Sequence, residues 1–351
     1  MQTPRFPAEW EPQSAVILVW PHPDSDWREL LASAERCYQE IARAIIARQG
    51  LLVVCHNEAI RQRVAALLAD AEGAEERLRL AVAPSNDTWI RDFGPLTVLH
   101  GERAELLDFR FNAWGGKFAA ELDDQLCAKL AEQGVFPTPM QRSSLVLEGG
   151  AVECDGAGTL LATRHSVVTS SRNQGVSEAE IEAQLHALLG IERFLWLDHG
   201  QLRGDDTDGH IDTLARFCDP QTLLHVTTAP DDPDHPEIIA MIAELATLRS
   251  ATGTPLQLRP LPPAPQIHSA SDQRRLAASY ANFLMINGAV LLPIYRHPHD
   301  AEAIAVVADC FPERQVIPID CRPLIEQNGS LHCITMQLPD KPSTQSLAPR
   351  A

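Results

Sequence analysis

Positive charge is what this chain has little of: 29 lysines and arginines stand against 47 aspartates and glutamates, for a net charge of −18. A phosphate backbone demands a basic face, so nucleic acid is excluded as a partner, and an anionic membrane surface with it. A cationic small molecule would instead be drawn in by the summed field. No run of 18 apolar residues occurs, so no membrane span is expected. Met1–Gln13 has no basic stretch followed by an apolar core, so no secretory signal is expected either. The eight cysteines (Cys37, Cys55, Cys127, Cys154, Cys218, Cys310, Cys321 and Cys333) are scattered, without a C-x-x-C pair. That pattern is neither a zinc framework nor a secreted disulfide scaffold, and it suits a reducing cytoplasm.

What is present is a regular alternation of short apolar runs and amphipathic stretches. Ser14–Trp20, Leu51–Cys55 and Leu78–Val82 read as buried strands. Between the first two, Leu30, Ala34, Cys37, Ile41 and Ile45 form one helical stripe, with Asp26 expected as its cap and Glu29 completing a capping box. Leu96–Leu99 and Glu105–Phe109 read as a hairpin, Ala151–Cys154 and Thr159–Ala162 as another. Ser177 caps a helix over Glu178–Leu189, with Glu180 at its third position. Alternation from His210 to Phe217 predicts a strand, and Pro255–Ser271 a long irregular segment of the kind that forms lids. No linker divides the chain, so residues 1–340 read as a single catalytic α/β domain and 341–351 as a polar, disordered tail.

Four stretches carry more polar chemistry than loops require: Trp89–Asp92, Glu148–Gly150, Asp205–Asp212 and His332–Cys333. Each also has a plain structural explanation. Asp92 could be a turn acid, Glu148 a strand-end hydrogen bonder, His210 a satisfied core histidine, and Cys333 a small hydrophobe at the start of a buried strand. Asp205, Asp206 and Asp208 could be a solvated acidic loop or oxygen ligands for a cation, although the Asp-x-Asp-x-Asp-Gly calcium loop is absent.

As a set, five motifs resemble the Porphyromonas-type peptidyl-arginine deiminase family of the guanidino-group-modifying superfamily. They are Asn86–Pro95 (NDTWIRDFGP), Phe111–Phe118 (FNAWGGKF), Glu148–Gly150 with Asp155–Thr159, Asp206–Asp212 (DTDGHID) and Asn328–Thr335 (NGSLHCIT). The likeness spans Met1–Pro339. It implies a five-bladed α/β propeller (the pentein fold), each blade a ββαβ unit around a pseudo-five-fold axis. It also implies hydrolysis of a small cationic guanidine. Agmatine is the expected substrate, giving N-carbamoylputrescine and ammonia, and free or peptidyl arginine is the alternative within the family. Cys333 matches the nucleophile and His210 the general acid/base. Asp92 and Asp212 match the carboxylates that hold the guanidinium, and Glu148 the acid that orients His210. Trp89 matches an aromatic wall of the substrate slot, and Asp206, Trp114 and Gly329 complete the expected binding set. Where the family often has a glycine-rich turn before its cysteine, this chain reads Asn328-Gly329-Ser330.

The chemistry accounts for these residue types. A guanidinium is planar and permanently charged, and two carboxylates accept its N–H forks and fix its plane. A thiolate adds to the central carbon, an imidazolium protonates the departing nitrogen, and the imidazole then activates water. No metal or organic cofactor has a task in this scheme, and a homodimer is an admissible assembly. A reading from a different class would make Asp205, Asp206, Asp208, His210 and Asp212 the ligands of a metal-dependent hydrolase. It would leave Cys333 without a role. A non-catalytic binding protein on the same scaffold would leave the whole constellation without one.

Overall fold

A computed structural model describes residues 3–340; Met1–Gln2 and the tail expected at 341–351 lie outside the described residues. Sixteen strands fall into five small sheets. Strands β4 (Leu96–His100), β5 (Arg103–Arg110) and β6 (Met140–Val146) form one sheet. Strands β7 (Glu153–Cys154), β8 (Thr159–Thr163) and β9 (Arg193–Leu197) form the next. Then come β10 (Ala215–Phe217), β11 (Thr222–His225) and β12 (Gln257–Pro260), followed by β13 (Leu284–Ile286), β14 (Ala289–Ile294) and β15 (Gln315–Asp320). In each, the first two strands are antiparallel and the second and third parallel, with a helix crossing between them.

The remaining sheet has the same plan, assembled from both ends of the chain. Strand β16 (Thr335–Pro339) pairs antiparallel with β1 (Gln13–Val19), setting Leu18 opposite Thr335. Strand β1 runs parallel to β2 (Gly50–Cys55) across the helix Leu31–Ile46, and β3 (Leu78–Val82) adds an outer strand. Five ββαβ units thus close a five-bladed α/β propeller, the last strand locking the first blade.

The blade elements follow from their patterns. In Leu31–Ile46 the residues Ala34, Cys37, Ile41 and Ile45 are buried together, as helical spacing requires. Val16, Ile17, Leu18 and Val19 are buried without alternation, because helices and neighbouring blades cover both sheet faces. Ser177 does cap Glu178–Leu189, and the reciprocal Glu180 bond to the Ser177 N–H completes the capping box.

Three elements differ from expectation. Asp26 caps nothing: a 3₁₀ turn (Arg28–Leu30) intervenes, and Leu31–Ile46 starts without a side-chain cap. The strand foreseen from His210 begins only at Ala215, because the Thr213 N–H and hydroxyl both donate to the His210 carbonyl and close a 3₁₀ turn over Ile211–Thr213. The segment Pro255–Ser271 is irregular after Pro260 as expected, but its start supplies β12, whose Leu258 pairs with Leu223. The first two differences are set by local hydrogen bonds, Leu30 N–H to the Trp27 carbonyl and Thr213 to the His210 carbonyl, and only β12 gains its conformation from a strand distant in sequence.

Replacing Ser177 with alanine removes a cap remote from the polar loops described next. Denaturant unfolding should show a loss of about 1 kcal/mol with no change in turnover. An unchanged midpoint would mean that this helix is held by packing alone.

Candidate active site

In each repeat the residues just before the first strand deliver one polar side chain toward the centre. Asp92, in the short helix Ile90–Phe93, precedes β4, and Glu148 precedes β7. Asp212 precedes β10, Asn282 precedes β13 and Cys333 precedes β16. Cys333 lies in a turn rather than at the start of a strand, with the Thr335 N–H donating to the His332 carbonyl (3.0 Å).

His210 sits between two carboxylates. Its Nδ1 is 3.5 Å from Asp92 Oδ1 and its Nε2 is 3.6 Å from Glu148 Oε2. Glu148 is oriented from behind by Arg172, whose Nε donates to Oε1 (3.1 Å), while the Arg172 fork also grips Asp208 and the Thr207 carbonyl. Asp92 accepts from the Trp114 indole (2.9 Å) and from the Gly150 N–H (3.0 Å). A Cβ on Gly150 would lie 2.7 Å from His210 Nδ1 and 2.8 Å from Asp92 Oδ1, so only glycine lets these groups converge. Asp212 accepts from His332 through Oδ2 (2.8 Å). Glu148 Oε2, His210 Nε2 and Asp212 Oδ1 are buried and without a hydrogen-bond partner among the described residues. His210 Nε2 and Glu148 Oε2 face each other at 3.6 Å, an ion-pair contact, which leaves Asp212 Oδ1 as the buried acceptor among the three with no partner, a costly state that a ligand donor would relieve.

Asn282, absent from the sequence expectation, orders the nucleophile position. Its Oδ1 accepts from the His332 N–H (2.9 Å) and from the Cys333 thiol (3.4 Å), and its Nδ2 donates to the Asp212 carbonyl (3.4 Å). It occurs in Tyr280–Phe283, an otherwise apolar stretch that carries no motif. Only the repeat of the ββαβ unit, aligned on its first strand, could have singled it out.

Titration follows from burial and charge. Burial lifts the Asp92 carboxyl to about 6, with Asp212 and Glu148 adding to the rise and His210 opposing it. Burial works against charge on His210, yet Asp92 and Glu148 raise its imidazole to about 9. Burial also opposes the Asp212 charge, but the His332 hydrogen bond keeps that carboxyl below its ordinary range. The Cys333 thiol is pushed well above its ordinary range by burial and then by Asp212 and Asp92.

A cleft of about 380 Å³ leads to Cys333 and Asp92. Trp89, Trp114, Phe111 and Phe118 form its aromatic walls. Trp89 is pinned by its indole bond to Asp87 (2.9 Å), and Gly329 is the residue on which it closes: a Cβ there would lie 2.2 Å from the ring. Asp87 accepts from the indoles of both Trp27 and Trp89. Trp114 is held at φ +55°, a left-handed conformation that costs a non-glycine residue about 1–3 kcal/mol and is offset here by the indole bond to Asp92. His210, Glu148 and Asp212 do not line the cleft; they are buried behind its floor.

Seven aspartates line the cleft (Asp24, Asp26, Asp87, Asp92, Asp123, Asp205 and Asp206), and among the described residues no lysine or arginine does. Asp206 is there as expected, accepting from Asn328. Asp208 is not: Lys117 (2.7 Å) and Arg172 occupy its two oxygens. Asp205 is spent on its own loop, accepting from the Thr207 and Gly209 N–H groups (3.0 and 2.6 Å). The acidic stretch before His210 therefore does not gather its oxygens for a metal. Among the described residues only His22, Asp24 and His56 bring three such ligand atoms within 4.8 Å of one another, and the two rings there are stacked nearly parallel (21°), so their in-plane lone pairs do not converge.

A five-bladed propeller with a thiol, an imidazole and paired carboxylates at its centre defines the guanidino-group-modifying class. The sequence profile of the Porphyromonas-type peptidyl-arginine deiminases matches residues 5–339, and the chain belongs to that family. An agmatine deiminase of Pseudomonas aeruginosa (strain LESB58) is 35% identical over 360 residues, covering 95% of each chain. A crystal structure from Porphyromonas gingivalis, provisionally assigned as an arginine deiminase, superposes with a TM-score of 0.90 at 46% identity, over 96% of this chain and 99% of that one. A substrate-bound cysteine-to-serine variant of the C. jejuni agmatine deiminase superposes at 0.89 with 31% identity, over 97% of each chain.

The raised Asp92 and His210 values set a pH window. On the roles expected from the family motifs, Asp92 would hold a guanidinium only when ionised, and His210 would serve a leaving nitrogen only when protonated. kcat/KM should therefore rise as pH climbs through about 6 and fall as it passes about 9. Activity still climbing well above pH 9 would remove His210 from proton transfer.

Proposed function

We propose that this chain is an agmatine deiminase: it hydrolyses agmatine to N-carbamoylputrescine and ammonia, with Cys333 as nucleophile. The carrying observation is the cleft itself, in which a thiol lies at the end of a passage walled by aromatic rings and aspartates. Agmatine carries a cation at each end and no carboxylate. An arginine substrate would bring an α-carboxylate into this acidic passage, where a cationic fork is the expected partner. The arginines around the site are already engaged: Arg91 is buried against Glu9 (3.8 Å), Arg203 pairs with Asp234 (3.2 Å), Arg172 is held by Glu148 and Asp208, and Arg274, which donates to the cleft residue Asn328 (2.7 Å), pairs with Asp272 (3.2 Å). Asp206 lines the same cleft as Trp89 and Trp114 and is the carboxylate this reading assigns to the distal ammonium.

The electrostatics support a thiol that ionises only when substrate arrives. In the empty site burial, and then Asp212 and Asp92, favour the protonated Cys333 thiol. A bound guanidinium acts on the carboxylate part of that opposition by neutralising both. The thiolate adds to the guanidino carbon, and protonated His210 delivers its proton to the departing nitrogen, which leaves as ammonia. The amidino-thioether that remains is attacked by a water whose proton His210 takes up. Collapse expels the Cys333 thiolate and yields the ureido product. Glu148 and Asp92 keep His210 charged for the first half of the cycle. All eight cysteines are unpaired, which suits a reducing cytoplasm.

The substrate assignment is tested by kcat/KM for agmatine, free arginine and a peptide with C-terminal arginine. Agmatine should lead by about a hundredfold or more, since stranding a carboxylate among aspartates costs about 3 kcal/mol. A preference for either arginine substrate would overturn it. The covalent step is tested separately: C333S should fold normally and lose turnover, and acid-quenched wild type should carry an amidino adduct on the peptide containing Cys333. An adduct on another cysteine peptide would displace Cys333 from the role.

A further inference from the structure

His332 takes no part in the scheme above, yet it is buried beside the nucleophile with both ring nitrogens engaged. Its Nδ1 donates to Asp212 Oδ2 (2.8 Å) and its Nε2 to Glu9 Oε2 (2.7 Å). Glu9 comes from the N-terminal segment before β1. It also accepts from Arg216 Nη2 (2.8 Å) and, through Oε1, from the Met285 N–H (2.7 Å). Burial opposes the Glu9 charge, but Arg216 and then His332 hold its carboxyl far below the ordinary range. Asp212 is likewise held low. A carboxylate oxygen accepts, and each ring nitrogen of His332 lies within hydrogen-bond distance of one, a geometry that only a doubly protonated ring satisfies on both sides. The other charged groups facing this pair are Arg91, whose Nε donates to the His332 carbonyl (3.4 Å), and Glu153, which holds Arg216 (2.8 Å). Beyond Asp212 lie His210 and Asp92.

The arrangement has a directional result. His332 occupies one oxygen of Asp212 and leaves Oδ1 buried and unpartnered. Its backbone N–H bonds Asn282 Oδ1, the same atom that receives the Cys333 thiol. One residue thereby fixes both the rotation of Asp212 and the backbone that presents the nucleophile.

We propose that His332, as an imidazolium held by Glu9, is the positioning residue that keeps Asp212 ionised and turns Asp212 Oδ1 toward the guanidinium of the substrate. The inference rests on the deiminase reading for its substrate, and on the buried geometry alone for its charge state.

H332N and E9Q, purified as full-length chains, test it. Loss of the cationic donor lets the buried Asp212 carboxyl rise past that of Asp92, which sets the wild-type limb near 6, so the acid limb of kcat/KM should move to higher pH. KM for agmatine should increase by about tenfold or more in H332N. At a pH above the displaced limb, kcat should recover most of its wild-type value, which separates positioning from proton transfer. E9Q should move both quantities the same way by less. A role in stability alone would lower the melting temperature and leave KM and the acid limb where they were, and that result in folded H332N would overturn the proposal. Should H332N not fold, wild type decides: nitrogen-15 spectra of labelled histidine should show both His332 ring nitrogens protonated at neutral pH, and a bare ring nitrogen would overturn it. This measurement needs no substrate. Wild type inactive on every guanidine, with a doubly protonated His332, would sink the deiminase reading and leave the clamp standing.

Discussion

The centre of this propeller depends on balancing charge in a place from which water is excluded. Asp92, Glu148 and Asp212 are all buried, and each would be driven neutral if left alone. Cations answer them in order. His210 lies between Asp92 and Glu148, Arg172 stands behind Glu148, and His332 binds Asp212. A second tier holds the first: Glu9 takes His332 and Arg216, and Glu153 takes Arg216. Arg216 also donates to the Phe283 carbonyl (2.7 Å) and lies over the Phe283 ring, so the innermost charges join the central elements of several blades. Removing one partner from such a chain strands a buried charge, which is why the pairs are better viewed as one unit than as separate salt bridges.

Close approach is the second constraint. Gly150 has no side chain because His210, Asp92 and Asp212 occupy the space around it. Gly329 has none because the Trp89 ring closes on its Cα. Around Trp114 the chain takes the left-handed region at four successive residues, Ala113 to Gly116, and so turns an indole back onto Asp92. In each case a backbone feature far from any regular element sets the position of a polar atom in the site.

The cleft explains why the net charge of −18 is more than a solubility device. Seven aspartates line one passage, and Lys117, Arg172, Arg203 and Arg91 are each tied to acids outside it. A dicationic guanidine entering there meets carboxylates along its length, and the aromatic walls lower the local dielectric that strengthens those contacts.

The ββαβ elements and most of the polar site were legible in the sequence. Helical spacing of Ala34, Cys37, Ile41 and Ile45, the capping box at Ser177, and the fully apolar β1 are local signals, and local physics is enough to form them. Cys333, His210, Asp92, Asp212 and Glu148 stood out because they sit in long polar motifs, and four of the five lie within hydrogen-bonded or ion-pair reach of another charged member of the central network. Their grouping was not legible, because the chain brings them together only when five blades close and β16 reaches back to β1. Asn282 and Glu9 were invisible for the same reason: one sits in an apolar stretch, the other in a proline-rich leader, and each acquires its task from residues more than 50 positions away. Asp26, Asp208 and Pro255–Ser271 show the converse. Their composition suggested a cap, a cation ligand and a wholly irregular segment, but the cap's helix started later, Lys117 and Arg172 reached Asp208 first, and β11 recruited β12. Where the polar stretches lie was written in local composition, and the roles expected of them came from the likeness of their motifs to a family; which of their atoms remain unpaired was decided by long-range closure, because only then is each competing partner either in reach or already taken.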